Sequence, residues 1–520
     1  MGGKVFSSGN SPLHTPRMAP VVYEHVKRQC ISALKYLFPR VESPIEAPEK
    51  SSFGDIDILV SLEGTGSIAR SFADPSAWTP IREALGGVRS YHEVRTGADR
   101  SKFIDSMSFA IPWPVDLSND EGAAQTLLEL GQTAATAASD GRVGEAESAS
   151  KARYVQVDVG LCDNNCELDW RLFKHNHGDL WNMLGLIIRP FGLTADETSL
   201  SIRIPEIEKE NKKGSRVFLT SNPTEVLDFL GLSHQNGEWE RPFKSVKDLF
   251  EYAASCKWFM LWPRDTEAED DKKTAQDNND NTTATTTATT TSNNNTSNKD
   301  QGEEAKKLKH NDRARMKQRA IFARWVDEFI PQCREQRRFL VPGATAQTPD
   351  DVRDDVRAQA FRVFPDSGPI YAATLAAWRR EKTRIYVKNT VIKGDVCLPA
   401  DISHVLPAPR GGGTTTAAAA DGAPDTERMW RGALRSALAK ILIDDDEGFG
   451  GVVPPRLRDG QGVLVVEDVK DWINRHWEVV GRVAWEVQCE KVRANVERKR
   501  KLAEVTGAAD DADDDGKGST

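Results

Sequence analysis

No stretch of the 520-residue chain is apolar without interruption for the roughly 18 positions that a membrane-spanning helix needs, so no membrane span is expected. The stretch from Met1 to Arg17 lacks the apolar centre of a signal peptide. Cysteine is sparse: the seven residues are scattered, odd in number and without the spacing of a disulfide framework. A reducing setting, and so an intracellular protein of nucleus or cytoplasm, is the expectation. Positive charge in excess is also missing. The formal net charge is −9, so any contact with nucleic acid must use a local basic patch. Finally, there is no P-loop, no Gly-x-Gly-x-x-Gly after a strand, no His-Glu-x-x-His and no Gly-x-Ser-x-Gly. Kinase-like, dinucleotide-binding, zincin and serine-hydrolase chemistries lose their usual marks with them.

What is present is enough for one or two cores, since 39% of the residues are apolar. The first 20 residues are rich in Gly, Ser and Pro and read as a flexible arm. A helical pattern follows in Val22, Val26, Cys30, Ala33, Leu34 and Leu37. Strands are expected at Ile56 to Leu62, Val88 to Val94, Phe103 to Ile111 and Arg153 to Gly160, with a loose insertion at about 115–151. These elements make a first segment, 21–172, of mixed sheet and flanking helices. An accessory α/β segment, 173–264, contains helices at Leu180 to Ile188, after Asn222-Pro223, and at Ser245 to Trp258. Asp265 to Gln301 is Asn-, Thr- and Asp-rich and has almost no large apolar side chains. It cannot offset its ordering entropy, so 265–310 reads as a disordered linker. The remainder, 311–505, reads as mainly helical, with a second linker at about 407–425 and an acidic tail at 506–520. The fold class expected is α+β.

The strongest local signal is Ser51-Ser52-Phe53-Gly54-Asp55-Ile56-Asp57-Ile58-Leu59-Val60. Two aspartates at i and i+2 of a strand point to one face. Unpaired, they would repel strongly; divalent cations would remove that cost and supply a use. Mg²⁺, or Mn²⁺ in its place, suits a set of oxygen ligands. A third carboxylate stands in Val157-Asp158-Val159, an otherwise apolar strand. The bland alternative leaves Asp55 and Asp57 at a loop end and Asp158 on a solvated sheet face.

The run Ser-Ser-x-Gly-Asp-Ile-Asp-Ile-Leu-Val resembles the metal-binding strand of the DNA polymerase beta-like nucleotidyltransferases, and Val157-Asp158-Val159 resembles their third acidic position. The likeness covers about Val21 to Leu172, and the segment that follows is similar to the module after the catalytic core in some phage and fungal members. The resemblance implies template-independent transfer of a nucleoside monophosphate from a nucleoside triphosphate to an acceptor hydroxyl, RNA being one candidate acceptor. It assigns the metals to Asp55, Asp57 and Asp158. That family has a Gly-Ser turn about ten residues before its first Asp, to cradle the triphosphate. Here that place reads Glu42-Ser43-Pro44-Ile45-Glu46-Ala47-Pro48. Lys50, Ser51, Ser52 and Gly54 become the candidate phosphate holders. A fold that binds nucleotide or nucleic acid without catalysis is the alternative.

Other groups carry weaker signals. Cys162, Cys166, His175 and His177 have zinc-ligand chemistry but match no firm spacing; two core thiols and two surface imidazoles are the simpler reading. Lys209, Lys212, Lys213 and Arg216 form a basic turn, more simply a solvated loop. Arg313, Arg315, Lys317 and Arg319 start a helix that either binds phosphate or only ends in solvent. Arg498-Lys499-Arg500-Lys501 resembles a nuclear-localisation cluster.

Overall fold

The computed structural model describes residues 3–8, 11–65, 74–96, 102–115, 152–262, 308–341, 348–406, 423–446, 448–453 and 456–510. The insertion expected at 115–151 and the linkers expected at 265–310 and 407–425 lie mostly outside the described residues. The chain divides into two compact units, Met1–Gly368 and Pro369–Thr520. The boundaries expected at 172 and 264 therefore fall inside the first unit. The architecture is α+β: a mixed sheet with flanking helices, followed by a helical region. Among the described residues, no helix is long and apolar enough to cross a membrane.

The first unit is built on a five-stranded sheet in the order β1-β2-β7-β6-β3. Its members are β1 (Val41–Glu42), β2 (Asp55–Ser61), β3 (Arg89–His92), β6 (Ser106–Pro112) and β7 (Tyr154–Cys162); β4 (Arg95–Thr96) and β5 (Lys102–Phe103) pair separately. β2 and β7 run parallel, and their register sets Asp57 opposite Asp158. The other neighbour of β7 is antiparallel β6, which sets Ser108 opposite Asp158. On β2 the odd–even alternation sends Ile56, Ile58 and Val60 into the core, at 0–1% exposure. There they meet α1 (Pro20–Leu34) and α2 (Thr79–Ala84) through Val22, Tyr23, Val26 and Ile81.

Among the described residues, the opposite face is covered by a helix at one end. Leu168 and Leu172 of α3 (Asn165–His175) pack on Leu59 and Cys162, which closes the C-terminal half of the two strands. Gly160, paired with Leu59, is needed there: a Cβ would come within 2.9 Å of the Leu59 side chain and 2.8 Å of Arg171 Nη2. Among the described residues, the N-terminal half of the same face, with Asp55 and Asp57, borders a cleft.

After α3 come α4 (Leu180–Ile188) and a three-stranded sheet, β10-β9-β8, of β8 (Leu193–Ala195), β9 (Leu200–Arg203) and β10 (Arg216–Thr220). Short α5 (Pro205–Glu208) precedes α6 (Pro223–Leu230), which begins as its sequence predicts: Asn222 Oδ1 accepts from the Thr224 N–H at 2.9 Å, and Gly231 ends it in the left-handed region. Next come α7 (Val246–Ala254), α8 (His310–Met316), α9 (Ala320–Arg324), a π turn at Trp325–Phe329, and α10 (Ile330–Glu335). α11 (Pro349–Val363) starts with a capping box between Thr348 and Asp351.

Described residues of the stretch read as a flexible arm, 3–8 and 11–20, make contacts with the sheet. Phe6 and Met18 are buried, Met18 pairs with Phe53, and the Val5 N–H donates to Gln156 Oε1 at 3.2 Å. An extended segment with isolated apolar residues has no periodicity to detect, yet it can bury those residues and satisfy its backbone at a sheet end.

α12 (Ser367–Tyr386) carries the chain into the second unit. There α13 (Ala423–Leu442) and α14 (Val466–Asp510) pack through Trp430, Leu434, Leu438 and Ile441 against Trp472, Ile473, Trp477 and Val480. α14 runs to Asp510, five residues into the stretch expected to be an acidic tail.

Candidate active site

The open end of the sheet faces a cleft of about 680 Å³, lined at one end by Glu46, Lys50, Asp55 and Asp57. The register of β2 and β7 places Asp57 and Asp158 on the same face, with Asp55 two residues earlier on β2. The three expected carboxylates are therefore brought to one region of one face. Asp55 and Asp57 line the cleft, and Asp158 stands beside Asp57 on the next strand, half-buried. The Gln156 amide donates to both Asp158 oxygens at 3.0 Å. Among the described residues no group of three or more His, Cys, Asp or Glu closes on a single point as around an ion. The donor set still fits a hard divalent cation in kind: oxygen ligands only, with more negative charge than their neighbours neutralise.

The electrostatics show that surplus. Asp57 is open to the cleft yet walled by protein. Loss of hydration, then Asp55, Asp158 and Glu46, push its carboxyl up to about 7, against Lys50. Asp55 is also raised by burial, with Lys50 and the Gly3 N–H opposing. Asp158 is raised by burial, opposed by its bonds from Ser108 and Gln156. Carboxylic acids held this way have a ready use for a dication.

A strap, residues 43–54, crosses the floor of this end. The Ser43 hydroxyl donates to the Asp57 carbonyl at 2.8 Å. The Ile45 N–H donates to Asn176 Oδ1 at 2.9 Å, and the Ile45 carbonyl accepts from the His177 N–H at 2.7 Å. Glu46 accepts from Tyr23 Oη at 2.8 Å and from Lys50 Nζ at 2.7 Å. Of the residues expected to hold phosphate, Lys50 lines the cleft. Ser52 is instead bonded to Arg17, whose Nε donates to its hydroxyl at 2.8 Å, and Gly54 packs against Gly3. Ser51 is exposed and is not among the lining residues.

The far wall is basic, and only part of it was anticipated. It is made by Lys174, Arg189, Arg315 and Arg319, with Trp181 and Glu197. Lys174 Nζ sits 4.2 Å over the Trp181 ring; burial, opposed by Glu197 and Asp196, lowers its pKa to about 8. Arg189 and Arg315 both donate to Asp312 Oδ1, at 3.0 and 2.6 Å, and Arg319 donates to Asp179 Oδ1 at 2.7 Å. Arg315 and Arg319 belong to the basic run noted in the sequence, and their i, i+4 spacing was the available signal. Arg189 is a single cation in an apolar run and Lys174 a single lysine between Phe173 and His175, and neither spacing carries a signal.

Of the remaining candidates, His175 alone reaches the cleft. Cys162 is buried beneath α3, Cys166 is exposed, and His177 is fully buried with Nε2 2.8 Å from the Trp239 carbonyl. All seven thiols are free. Lys209, Lys212 and Lys213 are exposed, and Arg216 pairs with Asp196 at 2.6 Å. No model of a known protein family matches the chain, and no curated protein sequence matches it.

Proposed function

We propose that the chain is a nucleotidyltransferase that moves a nucleoside monophosphate from a nucleoside triphosphate to an acceptor hydroxyl, with RNA as one candidate acceptor and Mg²⁺ or Mn²⁺ as cofactor. The observation that carries this reading is the parallel register that sets Asp57 against Asp158 at the open end of the sheet, beside Asp55 and across a cleft from four basic side chains.

Asp55, Asp57 and Asp158 would hold the dications, which when bound neutralise phosphate charge and acidify the attacking hydroxyl. The chain's own groups do the rest. The acceptor oxygen attacks the α-phosphorus; an O–P bond forms, the α–β bridging P–O bond breaks, and pyrophosphate leaves with the electron pair. Asp158, made more basic by burial, takes the acceptor proton. Lys50 and the basic wall orient the phosphates. Residence in the nucleus or cytoplasm belongs to this proposal; the exposed basic cluster Arg498 to Lys501 on α14 favours the nucleus.

One observation favours the second reading, a nucleotide- or nucleic-acid-binding protein that does not catalyse. The place of the Gly-Ser turn holds Glu42 and Ser43, and the Ser43 hydroxyl is already engaged by the Asp57 carbonyl. The two readings separate on pyrophosphate release. Purified full-length chain, each nucleoside triphosphate, Mg²⁺ or Mn²⁺ and a panel of RNA, protein and small-molecule acceptors should release pyrophosphate in step with acceptor labelling. Binding without release would favour the second reading.

A further inference from the structure

The basic wall contains a group that metal chemistry does not explain. Asp312 is 3% exposed, on a seven-residue helix whose cationic residues include Arg313 and Arg315. An ionised carboxylate is costly to bury unless it is paired and hydrogen-bonded. Its Oδ1 accepts two hydrogen bonds at once, from Nη1 of Arg315 at 2.6 Å and from Nη2 of Arg189 at 3.0 Å. Arg189 precedes Asp312 by 123 residues, so one oxygen ties together two distant parts of the unit. A guanidinium has five N–H donors in a fixed fork, and Asp312 takes one from each. Arg189 spends its Nε on the Gly185 carbonyl at 2.6 Å. Both side chains line the cleft, and both keep part of their surface exposed, 29% for Arg189 and 40% for Arg315. Arg319, one turn beyond Arg315, is held in the same way by Asp179.

We propose that Asp312 is the positioning residue of a phosphate clamp: it fixes the forks of Arg189 and Arg315 on the cleft wall, so that this end of the cleft binds a phosphate chain without a metal. The ligand identity rests on the nucleotidyl-transfer reading; the clamp itself does not. The phosphate chain is that of the nucleoside triphosphate or of a phosphorylated acceptor. The clamp also makes α8 part of the site, although more than 100 residues separate it from the last carboxylate.

Calorimetric titration of the full-length chain with inorganic tripolyphosphate in EDTA tests this. Wild type should bind one equivalent, and Asp57→Asn should bind no more weakly. Arg315→Gln should lose about tenfold in affinity, the scale of one charge-assisted hydrogen bond. Asp312→Asn separates positioning from charge. It removes a negative charge, so attraction alone would tighten binding, whereas a lost support for two forks should weaken it. Tighter or unchanged binding overturns the positioning role. If Asp312→Asn does not fold by circular dichroism, Arg315→Lys decides. It keeps the charge and loses the fork, so wild-type affinity overturns the clamp and a loss like that of Arg315→Gln supports it.

Steady-state kinetics of Arg315→Lys assigns the source. A higher KM for the triphosphate supports a clamp on the nucleotide; a higher KM for a phosphorylated acceptor alone supports a clamp on the acceptor; no change in either overturns it. Absence of tripolyphosphate binding in wild type overturns the clamp even if transfer is observed. Binding with the expected mutant pattern but no transfer keeps the clamp and removes the transfer reading.

Discussion

The two ends of the cleft are built in opposite ways. The acidic end comes from adjacent strands: Asp55 and Asp57 are two residues apart, and Asp158 is one ladder step away. The basic end is assembled from α3, the turn after α4, and α8 with the turn that follows it. At the acidic end like charges are crowded and their pKa values rise; at the basic end buried acids hold arginines in place. A site that gathers charge of one sign needs a partner of the other, and a site that pairs charge needs only a ligand able to compete.

Substitutions should tell the ends apart. The largest effect is expected at the acidic end: Asp158→Asn should lower kcat for nucleotidyl transfer by about 10³-fold, on the scale seen for loss of one key electrostatic group. A loss below tenfold would remove Asp158 from the site. Asp312→Ala should instead cost stability, about 3 kcal/mol, because two arginines lose a buried partner. Chemical denaturation with matched m-values measures it, and a cost under 1 kcal/mol would mean the pair is not buried in solution.

That contrast also explains what the sequence made legible. Asp55, Asp57 and Asp158 could be read because strand periodicity converts spacing into a shared face. The starts of α6 and α11 could be read because Asn222-Pro223 and Thr348-Pro349 cap them locally. The seat of the arm on Gly54 and Gln156, and the meeting of Arg189 with Asp312, depend on contacts over more than 50 residues. Nothing in local chemistry encodes them. Arg315 and Arg319 lay in between: the run was visible, but not that it faced a cleft rather than solvent.

Two smaller effects sharpen the comparison. In metal-free protein, the Asp57 carboxyl binds its proton more tightly when folded, with a pKa of about 7 against the usual 3.8. Its folded pKa is raised, so its contribution to stability is greatest at low pH and declines from about pH 4 to about pH 7. Thermal unfolding across that window should show Asp57→Asn gaining on wild type as the pH rises, with the gain cancelled by added Mg²⁺. A pH-independent difference would contradict the charge crowding. Smallest of all, Lys212→Ala on the exposed basic turn should change neither stability, beyond about 0.5 kcal/mol, nor KM for a triphosphate. A several-fold rise in KM would place that turn, rather than the cleft wall, on the phosphates.

The proposed metal-dependent site for nucleotidyl transfer on neighbouring strands is tested most directly by comparing wild type with Asp57→Asn, matched by circular dichroism, using labelled triphosphates, Mg²⁺ or Mn²⁺ and the acceptor panel. Wild type should transfer label and release pyrophosphate, EDTA should stop it, and Asp57→Asn should be inert while remaining folded. Equal rates in the two proteins would contradict the account.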